Sequence, residues 1–175
     1  LRMKGKIALL DYFDGKEAAA LLIDGELHDF FAEPGPNAPG SIFKVKVKHQ
    51  IKGSGGIFVE SPDGDFFLHK TKGITAGDVI LVQVISYGDR EKLPRVTTKL
   101  LFKSRYVIVT PFNEGLNIAK NIQDNERRIQ LKQLVVEGLN HIPYGMIMRS
   151  SCASANKSEI ISDCKNTIMT AQNVL

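Results

Sequence analysis

The sequence predicts an α+β chain in which a small closed β-barrel, at about residues 40–102, is joined to an α/β segment at 103–175. Three observations predict it. Between residues 41 and 102, five short runs alternate apolar and polar with period two and are separated by glycine-rich turns, a pattern that suits a barrel whose closure removes exposed edges. Beyond 102 the pattern shifts to helical spacing. Before 41, Glu33-Pro34-Gly35-Pro36-Asn37-Ala38-Pro39-Gly40 packs three prolines and two glycines into eight residues, which marks a linker and sets residues 1–39 apart.

Taken in order, the apolar runs 6–10 and 18–23 read as paired strands, with turn signals at Asp14-Gly15 and Asp24-Gly25. In Ile42-Phe43-Lys44-Val45-Lys46-Val47-Lys48 the three lysines point one way and Phe43, Val45 and Val47 the other, giving a half-buried strand with a basic outer face. Gly53-Ser54-Gly55-Gly56 makes a turn, 57–60 a strand, Ser61-Pro62-Asp63-Gly64 a second turn, and 65–69 a third strand. Gly77-Asp78 introduces a strand at 79–85, and 95–102 closes the barrel. Residues 105–109 form an apolar strand stopped by Thr110-Pro111. A helix is expected over 124–139, with Asp124 as N-cap and Ile129, Leu131, Leu134, Val135 and Leu139 on or near one face. A strand follows at 144–149. The last helix has Asn156 and Glu159 as a capping pair, with Ile161, Cys164, Ile168, Ala171 and Leu175 as its core stripe.

Charge is uneven along the chain. Residues 40–105 hold 12 Lys/Arg against 6 Asp/Glu, whereas 1–39 carry net −3 and 106–175 net +1. A basic middle suits a polyanion-binding module, and solvated lysines along a strand-rich edge give the same count. No apolar run approaches the ~18 residues of a membrane span, and residues 1–10 are too short and lysine-broken for a secretory signal, so a cytoplasmic protein with no membrane partner is expected. Cys152 and Cys164 read as reduced structural thiols. His28, His49, His69 and His141 show no metal-ligand spacing, so no zinc site is expected. Leu1-Arg2 precede a natural-looking start at Met3-Lys4-Gly5-Lys6; they read as a cloning remnant, or the chain as a piece of a longer protein.

The richest constellation is the stretch from Gly55 to His69, which sets aromatic residues on neighbouring strands beside a lysine-rich one. Oligonucleotide-binding barrels hold single strands on such a face, because bases stack on aromatic rings while cations follow the phosphates. Phe58 and Phe67 are the stacking candidates; the alternative is that they fill the barrel. Phe66 and Phe67 are adjacent, so one of them faces outward. Asp63 and Asp65 flank Gly64 in a turn and read as turn residues, not metal ligands.

These residues and their flanks resemble the amino-terminal part of the ribonuclease E/G family of bacterial endoribonucleases, with the barrel an S1 (OB-type) domain. The likeness is carried by Ile23-Asp24-Gly25-Glu26-Leu27-His28-Asp29, Ile57-Phe58-Val59-Glu60, Phe66-Phe67-Leu68-His69 and Gly77-Asp78-Val79-Ile80-Leu81-Val82-Gln83. It continues through Lys92, Val96-Thr97-Thr98-Lys99, Tyr106-Val107-Ile108-Val109-Thr110-Pro111 and Gly145-Met146-Ile147-Met148-Arg149-Ser150, in family order over nearly the whole chain.

The resemblance implies an RNase H-like set of strands at 1–39, an S1 RNA-binding barrel at 40–102 and a 5'-sensor-like α/β segment at 103–175. It implies single-stranded RNA as partner, with RNA contacts at Phe58, Phe67 and Lys92. It further implies a 5'-monophosphate grip at Arg149 and Ser150, with Ser104 and Ile108 around the terminal nucleotide. A guanidinium fork and a hydroxyl suit a phosphate; without the likeness, Arg149 reads as a surface arginine at a strand end. Ser104 stands where the family has glycine, and Ser151-Cys152-Ala153-Ser154-Ala155 replaces a more glycine-containing loop.

The family cuts RNA with paired aspartates holding Mg²⁺ in a later nuclease domain, and a cysteine motif beyond it binds zinc between subunits. The chain stops at Leu175, before either. The expectation is therefore RNA binding and 5'-end recognition on behalf of such an endoribonuclease, with no cofactor in this chain and no catalysis in isolation; oligomerisation stays possible, though the family's zinc-link motif is absent from these residues. The competing expectation is a stand-alone S1 adaptor in translation or RNA turnover, for which a 5'-phosphate pocket has no use.

Overall fold

Two-residue turns with both central residues at positive φ match the twist of paired strands, and the first unit of the chain is built on two of them. Asp14-Gly15 (φ 51° and 73°) joins β1 (Lys6–Phe13) to β2 (Lys16–Ile23), and Asp24-Gly25 (φ 52° and 85°) joins β2 to β3 (Glu26–Ala32). The three strands form an antiparallel sheet in the order β1-β2-β3. The computed structural model describes residues 4–35, 37–51, 55–69, 71–88 and 92–175, and it divides into one unit up to Ala38 and a second from Pro39. Leu10, Tyr12, Phe13, Leu27 and Phe31 of the first unit are exposed.

The second unit contains the barrel, making the fold α+β with an OB-type barrel. β4 (Ile42–Ile51), β5 (Gly56–Ser61), β6 (Gly64–His69), β7 (Val79–Ser86) and β8 (Arg95–Thr97) close in the order β4-β5-β6-β8-β7. The β6–β8 pair is parallel and the other barrel pairs are antiparallel. The alternation in β4 takes effect as expected: Val45 and Val47 are buried with Ile57, Val59, Phe66, Leu68, Val82, Val84 and Val96 in the barrel interior, while Lys44 and Lys46 are exposed. Each such side chain taken out of water contributes about 1.5–3 kcal/mol. Of the expected turn at 53–56, Gly53 and Ser54 lie outside the described residues, as do Leu1 and Arg2.

The closing strand is shorter than its apolar pattern suggests. Only Arg95–Thr97 is strand in the barrel; Phe102 instead begins β9 (Phe102–Lys103) of a second sheet and is buried there. That sheet runs β11-β12-β10-β9, with β10 (Val107–Thr110), β11 (Leu116–Ile118) and β12 (Gly145–Met148). Strands β9 and β11, of two and three residues, are too short to leave a periodic signal.

Helices α1 (Asn125–Gly138) and α2 (Lys157–Val174) share a core with one face of this sheet, where Phe102, Val107, Val109, Ile118, Met146 and Met148 are buried. Asp124 caps α1 as expected, its carboxylate accepting from the backbone N–H of Glu126 and Arg127. Leu131, Val135 and Leu139 form the buried stripe, whereas Ile129 is 66% exposed; two residues from Leu131, it lies on the far side of the helix. In α2 the stripe is Ile160, Cys164, Ile168 and Ala171; Ile161 is half-buried and Leu175 is exposed. The expected capping pair does not form. Asn156 makes no side-chain cap bond, and the Glu159 carboxylate accepts instead from the Tyr106 hydroxyl at 3.0 Å.

Barrel and α/β segment are fastened by Gln83. Its buried amide donates to the carbonyls of Gly40 and Leu101, each at 3.0 Å, and accepts from the Leu101 N–H at 2.9 Å. Ile42 and Leu81 of the barrel also pack on the α/β core. Among the described residues no helix is long and apolar enough to cross a membrane.

Candidate nucleic-acid interface

The residues that point out of the barrel line up across it. Cα pairing sets His49 of β4 opposite Phe58 of β5, Phe58 opposite Phe67 of β6, Phe67 opposite Arg95 of β8, and Arg95 opposite Ser86 of β7. Strand neighbours alternate in direction, so with Ile57, Phe66, Leu68 and Val96 buried this row faces outward. Phe58 and Phe67 are half-buried and Arg95 is exposed, so the two rings are brought together on the outside of the barrel. The His49 ring stacks on Phe58 at 5.3 Å between centroids and 12° between planes, and Phe67 meets His69 edge to face at 5.2 Å. The Arg95 guanidinium donates to the Ser86 hydroxyl at 2.9 Å.

Gly56 seats Phe67. A Cβ built on this glycine would overlap ring atoms Cε2 and Cζ, so the ring occupies the space a side chain would fill. His49 reaches the row because the β4–β5 register shifts between Val47 and His49, leaving Lys48 as the extra residue of a bulge. Lys48 is ion-paired with Glu60, which removes one cation from the basic face; Lys44 and Lys46 remain exposed. Lys92 lies exposed on the approach to β8, three residues before Arg95, and the Pro94 carbonyl that follows it accepts from the Phe67 N–H at 2.9 Å. Sequence reasoning missed His49 and Arg95. Arg95 had a usable signal, since it immediately precedes the buried Val96 and so had to face outward.

The second group of candidates lies in the α/β segment. Arg149 follows β12 with an extended backbone (φ −80°, ψ 163°), so the strand's alternation continues through it and its side chain shares a face with Ile147. Its Nη1 donates to the Ser104 carbonyl, and its N–H donates to the Tyr106 carbonyl at 2.8 Å. Ser150 opens a 3-10 turn (Ser150–Ala153). Three bonds hold this turn: the Ser151 hydroxyl donates to the Arg105 carbonyl at 2.5 Å, the Cys152 thiol to the Tyr106 carbonyl at 3.1 Å, and Arg127 to the Cys152 carbonyl at 2.7 Å.

Ser104 offers its carbonyl to Arg149, while its hydroxyl is turned to Asp163 of α2 at 2.6 Å. Asp163 also accepts from the Tyr106 N–H at 2.8 Å. The Tyr106 hydroxyl is held above its ordinary pKa, chiefly by its bond to the Glu159 carboxylate. Ile108 is half-buried and pairs with Ile147 on the sheet face away from the helices, the side that Arg149 shares. Arg149, Ser104 and Ile108 are thus grouped around one end of β10 and β12.

Both cysteines are buried and free. Burial pushes the Cys152 thiol up to about 11 and Cys164 to about 12, so both are neutral packing groups near pH 7. Asp63 sits in the expected turn, its N–H donating to the Ser61 hydroxyl at 3.1 Å. Among the described residues no group of three or more His, Cys, Asp or Glu side chains is placed to hold a metal ion.

The second unit thus presents a closed OB-type barrel with an aromatic outer row, fastened to a segment with a four-stranded sheet. The family model described as Ribonuclease E/G family matches residues 102–175. Over those residues the chain is similar to the ribonuclease E/G family.

It is 30% identical over 96 residues to a ribonuclease E/G-like protein of Pyropia yezoensis, covering 55% of this chain and 19% of that protein. It is 22% identical over 164 residues to ribonuclease E of a Nostoc species, covering 84% of this chain and 24% of the relative. Ribonuclease G of Escherichia coli strain K12 is 25% identical over 148 residues, covering 71% of this chain and 30% of the relative. The chain thus spans between about a fifth and a third of the length of these curated relatives.

Proposed function

We propose that this chain binds single-stranded RNA on an S1-type barrel and recognises RNA 5' ends, as part of a cytoplasmic ribonuclease E/G type endoribonuclease of RNA processing and decay. The observation that carries the reading is the outward row His49, Phe58, Phe67 and Arg95. Two adjacent aromatic rings with a stacked imidazole on one side and a guanidinium on the other offer π-surfaces to bases and charge to phosphates. Lys92, Lys44 and Lys46 add cations along the same barrel. Arg149, beside Ser150 and Ile108, supports the 5'-end part of the reading, since a guanidinium fork suits a terminal phosphate. Mg²⁺ and the cutting carboxylates belong to the whole family enzyme, and no step through the metal is assigned to this chain.

The test is binding of a 3'-labelled unstructured RNA to wild type, Phe58→Ala and Phe67→Ala, followed by fluorescence anisotropy. Each substitution is expected to cost about 1–3 kcal/mol of binding free energy. Folded variants that both bind as tightly as wild type would refute the barrel face.

A further inference from the structure

A groove runs between the barrel and α2, and its two walls differ in chemistry. Ile42 and Gln83 of the barrel line one side; Asp163, Asn166, Thr167 and Thr170 of α2 line the other, with Lys103 of β9 beside them. The groove measures about 400 Å³, within the range of small-ligand sites. The four α2 residues recur at i, i+3, i+4 and i+7, so they form one polar stripe next to the apolar stripe Ile160, Cys164, Ile168 and Ala171.

What this stripe can bond is fixed by what its groups already hold. The Thr167 hydroxyl donates to the Asp163 carbonyl at 2.7 Å and the Thr170 hydroxyl to the Asn166 carbonyl at 2.9 Å. Each has spent its one proton on the helix backbone, so toward a ligand it can only accept. The Ser104 hydroxyl and the Tyr106 N–H both donate to Oδ2 of Asp163. Oδ1 of Asp163 and the Asn166 carboxamide have no partner among the described residues. The Gln83 amide is satisfied by Gly40 and Leu101, so the barrel wall adds surface and no further bonds. The groove therefore offers a run of acceptors, one amide and one cation.

Its place in the unit gives it a neighbour. Gln83 pairs with Thr97, which lies two residues beyond Arg95 on the same side of β8. That is about 7 Å along the strand from the aromatic row. A strand stacked on Phe58 and Phe67 and passing Arg95 reaches the groove next.

We infer that the groove is a ribonucleotide site, in which the α2 acceptors take the ribose 2'-hydroxyl and Lys103 takes the attached phosphate. The ribose hydroxyl is a donor that deoxyribose lacks, so acceptors aimed at it select RNA over DNA. Stacking rings do not make that distinction, because every base has a π-face. The nucleotide belongs to an RNA strand leaving the barrel row, and in this the inference rests on the barrel reading above. A free ribonucleotide carries the same chemistry and is the other source to be tested.

The experiment uses the full chain and two pairs of probes: single-stranded RNA and DNA of one sequence, and adenosine 5'-monophosphate with its 2'-deoxy counterpart. Affinities are measured for wild type, Asn166→Ala, Thr170→Val and Phe67→Ala. Asn166 and Thr170 are exposed, so their substitution stays clear of the core. Wild type is expected to bind the RNA more tightly than the DNA. Asn166→Ala and Thr170→Val are each expected to weaken RNA binding by roughly 2- to 12-fold, the value of one hydrogen bond, and to leave DNA binding unchanged. Phe67→Ala is expected to weaken both strands alike.

If Phe67→Ala binds like wild type while the ribose preference persists and falls in the α2 variants, the barrel reading fails and the groove stands. The same pattern in the mononucleotide pair alone keeps the site and makes a free ribonucleotide its occupant. Equal affinities within both pairs of probes overturn the inference, and so does a ribose preference that both α2 variants leave intact.

Discussion

Replacing Gly56 by alanine separates the seat of Phe67 from the ring itself. Gly56 lies in β5 outside the positive-φ region, so its backbone accepts an L side chain. The added methyl cannot be absorbed by a small shift, because it would stand 2.0 Å from Cε2 and 2.3 Å from Cζ at the far edge of the Phe67 ring, a rigid plate that clears it only by turning about its χ angles. The ring must leave its rotamer. The backbone gains about 0.4–1 kcal/mol from a stiffer unfolded state, and the displaced half-buried ring gives back part of the ~1.5–3 kcal/mol that its burial contributes. Global stability should therefore change by less than about 2 kcal/mol. RNA binding should fall by the value of one base stack, about 1–3 kcal/mol or roughly 5- to 150-fold in Kd. The assay is a double-mutant cycle of Gly56→Ala and Phe67→Ala, with binding by anisotropy and stability by denaturant titration. In the Phe67→Ala background, Gly56→Ala has no ring to displace and should leave binding unchanged. Wild-type affinity in Gly56→Ala, or the same loss in both backgrounds, would refute the idea that the glycine acts through Phe67.

Two further expectations concern the α/β core. Leu131→Ala should cost about 2–5 kcal/mol of unfolding free energy, because Leu131 is fully buried between α1 and the sheet, while Ile129→Ala on the same helix should cost under about 0.5 kcal/mol; chemical denaturation of the pair checks this. The thiols should make stability fall at alkaline pH. Their native pKa values of about 11 and 12 lie above the ordinary 9.0, so the unfolded chain loses these protons first as pH rises. The contribution is complete below pH 9.0 and is lost as pH climbs toward the native values; a Cys152→Ala variant titrated alongside should show a shallower decline.

Most of the architecture was legible because it rests on periodic burial and turn chemistry. The alternation of Lys44, Val45, Lys46 and Val47 marked a barrel strand, Asp14-Gly15 and Asp24-Gly25 marked hairpins, and Asp124 marked a helix start. What was not legible depends on tertiary partners. Strict alternation from Lys48 puts His49 inside the barrel; a bulge, which no local residue announces, carries it out to Phe58. Phe102 reads as the end of a barrel strand, yet it pairs with Val109, because a run of apolar residues does not say which of two cores it enters. Glu159 has the spacing of a capping residue but binds a tyrosine 53 positions away. At the candidate site, adjacent Phe66 and Phe67 required one outward ring, whereas no local pattern groups Arg149 with Ser104: the family resemblance implied that grouping, and its geometry comes from pairing β10 with β12.

The amide of Gln83 holds the chain where it enters the barrel and where it leaves, touching Gly40 and Leu101 with one side chain. A module whose two ends meet at a point behaves like a bead clipped onto a string. It can be added to a host chain, or taken from it, without prying the host's own strands apart, and its loops are free to diverge while the clip remains. Gln83 is that clip, so its loss should loosen the attachment of the bead before it unravels the bead itself.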